Sequence, residues 1–184
     1  MKGSSTAIRA RVTVAFGAAF IAAAMLIFAA ASFAGTGVRA LVAVPWRAAA
    51  AAAALFILGV VDVLSLRARS YCLLGAKRQA RQSLIRTYSM PVVAAAWGFD
   101  TGLAFTTYRV SAATWAAFAL ALLGFAPWWS GAAYGIAFTV PMLALLLSAT
   151  TFGRLDRELR RRPLIQAVSA VALAGAGALL LVTR

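Results

Sequence analysis

The chain has no histidine, a single cysteine and only four acidic residues among its 184 residues. One thiol, Cys72, can form neither an intramolecular disulfide nor a two-thiol redox couple. Because His and Cys are so scarce, we expect no zinc, haem or copper site, no metal and no other cofactor. The lack of His also removes the commonest general base and argues against triad hydrolysis. We therefore expect the protein not to be an enzyme.

Basic residues far outnumber acids, with 18 Lys and Arg giving a formal charge of +14. In a soluble protein this excess would suggest nucleic acid, but no groove-reading motif accompanies it, so we expect no nucleic-acid partner. The chain is 64% hydrophobic. Its apolar residues come in runs of about 20, the length of a membrane-spanning helix. The basic residues lie mostly between these runs, where they set topology and contact anionic lipid headgroups.

The apolar runs predict an all-α fold, a polytopic membrane helix bundle that forms a single domain over residues 1–184. The first run is longer than the ~7–15 apolar residues of a signal peptide, so we expect a retained helix. Cleavage near the small residues AAASFAG is the alternative. The predicted spans are 12–34, 47–66, 91–126, 131–151 and 164–182, with basic loops at 67–90 and 152–163.

The central run is too long for one regular crossing. From Pro91 to Gly124 it would make a helix of ~50 Å, against a hydrocarbon core of ~30 Å. It also contains Asp100 and Arg109, and charges at membrane depth usually face a bundle interior or a wet cavity. The run is therefore either two helices or one broken crossing.

The positive-inside rule selects the broken crossing. Basic residues in short loops mark the cytoplasmic side, so the start of the chain and both basic loops should lie inside. An even number of crossings must then separate the two loops. This predicts five crossings, with the N-terminus inside and the C-terminus outside. Trp46, Trp128 and Trp129 would form an aromatic belt at the outer face. The Ala, Arg, Gly and Val bias is typical of a bacterial genome rich in G and C, which favours a multi-pass protein of the bacterial inner membrane.

Backbone groups freed at a break must be buried in protein or line a cavity. Transporters place substrates and coupling ions at such breaks near the midplane. One alternative is a buried ion pair between Asp100 and Arg109 that only fixes how the segment folds. In another, Arg109 extends to the outer headgroups and leaves Asp100 protonated. The candidate intramembrane polar site consists of Gly98, Asp100, Gly102, Thr101, Thr106 and Arg109.

The basic residues of the 67–90 loop are typical of an amphipathic helix that lies on anionic headgroups. The alternative is a surface that binds an acidic partner. Near this loop, Asp62 is close enough in sequence to pair with Arg67 or Arg69. Cys72 is expected to be a small buried or lipid-facing residue. The basic residues proposed to face lipid or a partner are Lys77, Arg78, Arg81 and Arg86.

The stretches GFDTGLAFTTY and GAAYGIAFTVPML resemble the broken helix and the following helix of the CcdA/DsbD transmembrane family. That family carries reducing equivalents across the bacterial membrane for cytochrome c maturation and periplasmic thiol reduction. Where the family has its redox Cys, this chain has Asp100-Thr101, and only two spans precede the basic loop. The resemblance therefore implies a shortened relative without thiol chemistry.

Three functions follow as hypotheses. The first is a non-redox CcdA/DsbD-like accessory or assembly subunit with a membrane or periplasmic protein partner. The second is a proton- or cation-coupled transporter of small solutes that uses Asp100 in the broken helix. The third is a thiol-disulfide or cytochrome c biogenesis protein in which Cys72, its pKa lowered by a basic environment, acts with a partner.

Overall fold

The structure is a computed structural model that describes residues 2–74, 82–103, 106, 109–148 and 161–182. Within these ranges the secondary structure is helical and contains no strand, which confirms the predicted all-α class. A short 3-10 turn, Gln82–Arg86, precedes the third helix. The α-helices are α1 (Lys2–Leu41), α2 (Val44–Arg67), α3 (Met90–Gly102), α4 (Ala113–Leu122), α5 (Ser130–Ser148) and α6 (Arg162–Val182).

Within the described ranges, three helices are long and apolar enough to cross a membrane. They are Ala7–Leu41 within α1, Val44–Arg67 and Arg162–Val182. They contain the predicted spans 12–34, 47–66 and 164–182, so the prediction of a membrane protein is confirmed at this level. The predicted span 131–151 corresponds to α5, and its last residues, 149–151, lie outside the described ranges.

α1 is the helix against which α3, α4 and α5 pack, whereas α2 pairs with α6, and α4 contacts both groups. α3 runs parallel to α1, because Gly98 lies against the backbone of Phe16 and Gly102 against that of Phe20. A Cβ at either glycine would collide with a carbonyl oxygen of α1. These glycines, four residues apart, let the two backbones approach closely, as small residues do between membrane helices.

α4 continues in the same direction along α1. The ring of Phe118 packs edge-on against Phe28 at 6.3 Å between centroids. Further along, Gly35 of α1 lies against the carbonyl of Ala121. The predicted broken segment, 91–126, is thus two helices that both run parallel to α1, with residues 103–112 between them. The two helices do not fold back on each other as a hairpin, and we call α3 and α4 together the interrupted rod.

α5 returns antiparallel to α1. Gly131 packs against Ala24, and Gly135, one turn later, packs against Ile21. This second pair of glycines four residues apart has the same packing role on another face of α1.

α2 and α6 form the other antiparallel pair. Gly59 of α2 contacts the carbonyl of Ala170, and Gly177 of α6 contacts that of Ala52. Because α4 touches both α2 and α6, it joins this pair to the group around α1.

Exposed tryptophans and the arginines that flank the basic loops lie at opposite ends of the bundle, whereas Arg39 and Arg47 lie at the tryptophan end. Trp46 at the start of α2 and Trp128 before α5 are exposed at one end. At the other end Arg162 donates to the carbonyl of Arg69 at 2.8 Å, which ties the start of α6 to the chain after α2. Arg86 lies in the 3-10 turn before α3. Lys77, Arg78, Arg81 and all of 152–163 except its last three residues lie outside the described residues.

We predict that Gly98→Ala destabilises the protein by about 1–3 kcal/mol, because the added methyl forces α3 away from α1. Gly175→Ala in α6 is the matched control, since a Cβ there meets nothing within 4 Å. We expect it to be neutral or to stabilise by less than about 1 kcal/mol. Thermal unfolding in detergent measures both. Equal midpoints for the two variants would contradict the close α1–α3 contact.

Candidate functional site

The backbone between α3 and α4 finds its hydrogen-bond partners inside the bundle. The carboxylate of Asp62 on α2 accepts from the N–H of Ala112 at 2.7 Å, just before α4 begins. The side-chain amide of Gln166 on α6 donates to the carbonyl of Val110 at 3.0 Å. The N–H of Cys72 donates to the carbonyl of Arg109 at 2.9 Å. Three segments distant in sequence therefore hold the interruption.

Asp62 does not have the partner expected from the sequence. Arg67 and Arg69 are exposed, whereas Asp62 is fully buried, and no ion pair joins it to either of them. The predicted pairing is wrong because Asp62 lies on the face of α2 that meets α4. There the first N–H groups of α4 lack partners within their own helix and attract a carboxylate.

Arg109 is buried at the interruption, with 4% of its surface exposed. Its guanidinium donates to the carbonyl of Thr101 and, at 3.4 Å, to the hydroxyl of Tyr134. It also lies over the ring of Phe138, 5.5 Å from the centroid. The side chain of Arg109 therefore lies inside the bundle beside the break and not on the bundle surface.

Aromatic and hydroxyl groups support this arginine. The hydroxyls of Tyr134 and Thr114 are hydrogen bonded at 3.0 Å. The ring of Phe20 stacks on that of Phe138 at 4.8 Å. The stack fixes the α5 side chains that face Arg109, so the cation and the two hydroxyls have a defined arrangement.

A cavity of about 380 Å³ opens beside these groups. It offers one guanidinium and several hydroxyls on an otherwise apolar wall. This combination is typical of a small-molecule site, in which a few polar groups orient a ligand held by apolar contacts. Its walls include Arg109, Ser111, Thr114, Tyr134, Phe138 and Ile165.

The residues predicted as one polar site do not all converge. Gly98 and Gly102 face α1 and serve packing. The hydroxyl of Thr101 bonds back to the carbonyl of Trp97 at 2.7 Å, and only its carbonyl reaches the arginine. The hydroxyl of Thr106 donates to the carbonyl of Asp100.

Asp100 and Arg109 do not form the ion pair weighed as an alternative, judged on the described residues. The guanidinium is directed toward Tyr134 and Phe138 of α5. Asp100 is half-buried. It lies about 200° around the helix from Gly98, on the face of α3 that turns away from α1. The helix axis therefore separates the acid from α1.

Sequence reasoning missed Tyr134, Thr114 and Gln166. Each is a polar side chain within an apolar run, and Gln166 is the single amide of α6. The rule that polar groups at membrane depth are functional or structural applies to them as well as to charges. Applied to amides and hydroxyls, it would have indicated α5 through Tyr134 and α6 through Gln166.

Cys72 is buried in a cluster with Leu55, Leu58 and Ala112. Burial raises the pKa of its thiol; a backbone hydrogen bond from Leu74 opposes this in part, and the nearby Asp62 adds a smaller increase. The expectation that a basic environment lowers this pKa is therefore wrong. Arg67, Arg69 and Arg86 are exposed, while the thiol is buried in the bundle.

Comparison with protein-family models, curated proteins and solved structures finds no match to this chain. The resemblance to the CcdA/DsbD family stays a prediction.

We predict slow alkylation of Cys72 in the folded protein. A raised thiol pKa leaves less thiolate at a given pH, and the thiolate is the nucleophile. The rate with a small maleimide should be well below that of free cysteine at neutral pH and rise as the pH approaches the raised pKa. The same protein in denaturant is the control, and an equal rate in both states would show that Cys72 is accessible.

Proposed function

We propose that the protein is a carrier for a small organic anion in the bacterial cytoplasmic membrane, with Arg109 as the group that binds the anion. The observation that carries the proposal is the buried guanidinium on the wall of a cavity at the interrupted helix. A planar guanidinium presents a fork of N–H donors that matches a carboxylate. The hydroxyls of Thr114 and Tyr134 are hydrogen bonded to each other beside it, and the one that accepts that bond keeps its proton for a ligand.

The helix directions support a five-crossing arrangement. α1, the α3–α4 rod and α6 run one way, and α2 and α5 run the other. The arginine-rich end holds the end of α2 and the starts of α3 and α6, and the tryptophans lie at the opposite end. With the basic end inside and in contact with anionic lipid headgroups, the N-terminus is cytoplasmic and the C-terminus is external.

An anion fits the cavity better than the cation considered from the sequence. The charged side chain on its wall is Arg109, and Asp100 is not part of that wall. In a site of low dielectric constant, a positive charge strongly favours an anionic ligand and opposes a second cation. The rings of Phe138 and Tyr134 suit the carbon skeleton of an organic acid.

The break gives this site a location suited to transport. It lies between two helices of one rod, and it is held by side chains from α2 and α6 rather than by lipid. Discontinuous helices near the midplane are where transporters bind their substrates. The interrupted rod would therefore present the ligand to either side as the two groups of helices move relative to each other.

The experiment that tests the proposal is calorimetric titration of the purified protein in detergent with benzoate and succinate. Wild type should bind at least one of these anions and should not bind tetramethylammonium. Arg109→Gln should weaken binding tenfold or more, since a hydrogen bond to a charged group contributes about 1.5–3 kcal/mol.

Arg47→Gln is the matched control. Arg47 is also buried, but it donates to the carbonyls of Val42 and Leu123 at the tryptophan end, away from the cavity. We expect it to bind anions as wild type does. Wild type that binds neither anion, or Arg109→Gln that binds as tightly as wild type, would refute the proposal.

The second candidate is the non-redox accessory or assembly subunit. Asp100 favours it, because an acid on the outer side of α3 at membrane depth is costly unless a partner helix covers it. Co-purification in mild detergent tests this function. A stoichiometric partner lost in Asp100→Ala but kept in Arg109→Gln would support it, and a protein that purifies alone would count against it. The burial of Cys72 weighs against the thiol-disulfide alternative.

A further inference from the structure

We infer that Asp62 is a proton-binding site that loads together with the anion at Arg109, so that the cargo is an anion plus a proton. This inference rests on the proposed function. It assigns the coupling role to Asp62 on α2 rather than to Asp100, the acid that the sequence singled out.

The surroundings of Asp62 favour a carboxyl group that can hold a proton. The side chain is fully buried. Oδ1 accepts from the N–H of Ala112, but Oδ2 has no hydrogen-bond partner among the described residues. A buried carboxylate with one oxygen lacking a donor is unfavourable, whereas a neutral carboxyl still accepts the Ala112 bond through Oδ1.

Among the described residues, no cation is in contact with the carboxyl. Ser169 on α6 lies beside it, although its hydroxyl is not within hydrogen-bond geometry. The thiol of Cys72 is the titratable neighbour from the chain after α2. α4 contributes Ala112 and Ala113, and the described contacts of the Arg109 guanidinium lie toward α3 and α5. A proton is then the simplest means of neutralising Asp62.

Asp62 is linked to the anion site through a short stretch of backbone. It binds the N–H of Ala112, while Arg109, three residues earlier, presents its guanidinium to the cavity. The intervening carbonyls of Arg109 and Val110 are held by Cys72 and Gln166. A change in the Asp62–Ala112 hydrogen bond therefore reaches Arg109 through a backbone segment that is held in place by hydrogen bonds.

A second cavity brings the two sites together. It has a volume of about 430 Å³ and lies between the start of α4 and α6. Ser169, the neighbour of Asp62, is on its wall. Ser111, Ala113 and Ile165 line this cavity and the Arg109 cavity alike, so the two share one wall.

The sign of the coupling follows from charge. An anion beside Arg109 and an ionised Asp62 repel each other, and the low dielectric constant of the bundle interior strengthens that repulsion. Binding of the anion therefore favours the protonated carboxyl, and by reciprocity the proton favours anion binding. The step is a reversible protonation of a carboxylate, and a monovalent anion loaded with one proton carries no net charge across the membrane.

The test compares wild type with Asp62→Asn and Asp100→Asn in weakly buffered detergent solution, with benzoate or succinate as the probe. Asparagine keeps the acceptor for Ala112 but cannot gain a proton. Wild type and Asp100→Asn should take up as much as about one proton per anion bound, and bind about tenfold more tightly per unit fall in pH while Asp62 is ionised. Asp62→Asn should bind the anion with no proton uptake and little pH dependence.

Proton uptake by Asp62→Asn equal to that of wild type would overturn the inference and leave the anion site intact. Failure of all variants to bind would instead refute the proposed function. In that case infrared spectroscopy tests the protonation of Asp62 without an anion. Wild type should show the carbonyl stretching band of a protonated carboxyl, and Asp62→Asn should lack this band. If that variant does not fold, a shifted band in Asp62→Glu identifies the group. Absence of any such band from wild type down to mildly acidic pH would contradict the proton site.

Discussion

Backbone polar groups released between α3 and α4 need hydrogen-bond partners within the protein, because apolar surroundings offer none. For the described end of the break, the partners come in large part from side chains of helices that are distant in sequence. Asp62 takes the N–H of Ala112, and Gln166 takes the carbonyl of Val110. Arg109 is carried into the interior by the same stretch of backbone. The polar centre of the protein is thus a consequence of the broken helix.

Close helix packing isolates this centre from lipid. Gly98 and Gly102 place α3 directly against α1, and Gly131 and Gly135 do the same for α5. The aromatic side chains near Arg109 then stack between α1 and α5, with Phe20 against Phe138. Small residues at the helix contacts and large ones beside the cavity are therefore two parts of one arrangement. A wider α1–α3 spacing would open the break to the bilayer.

The sequence was sufficient for the helical class and for the position of the interruption within 91–126, because an apolar run longer than the bilayer must break or turn. It was not sufficient for the partners of the break. The position of Asp62 near Arg67 suggested an ion pair, and only the placement of α4 beside α2 shows that its carboxylate meets Ala112. Likewise, the position of Gly98 near Asp100 suggested a polar site, whereas in the structure Gly98 packs against the backbone of α1.

The central claim is that the interrupted rod crosses the membrane once. Labelling of intact cells with a membrane-impermeant maleimide tests it most directly, in a Cys72→Ala background with one exposed residue at a time replaced by cysteine. Trp46→Cys and Trp128→Cys should label from outside, whereas Tyr88→Cys and Arg161→Cys should label only after the membrane is permeabilised. Labelling at residues 88 and 128 from the same side would contradict the account.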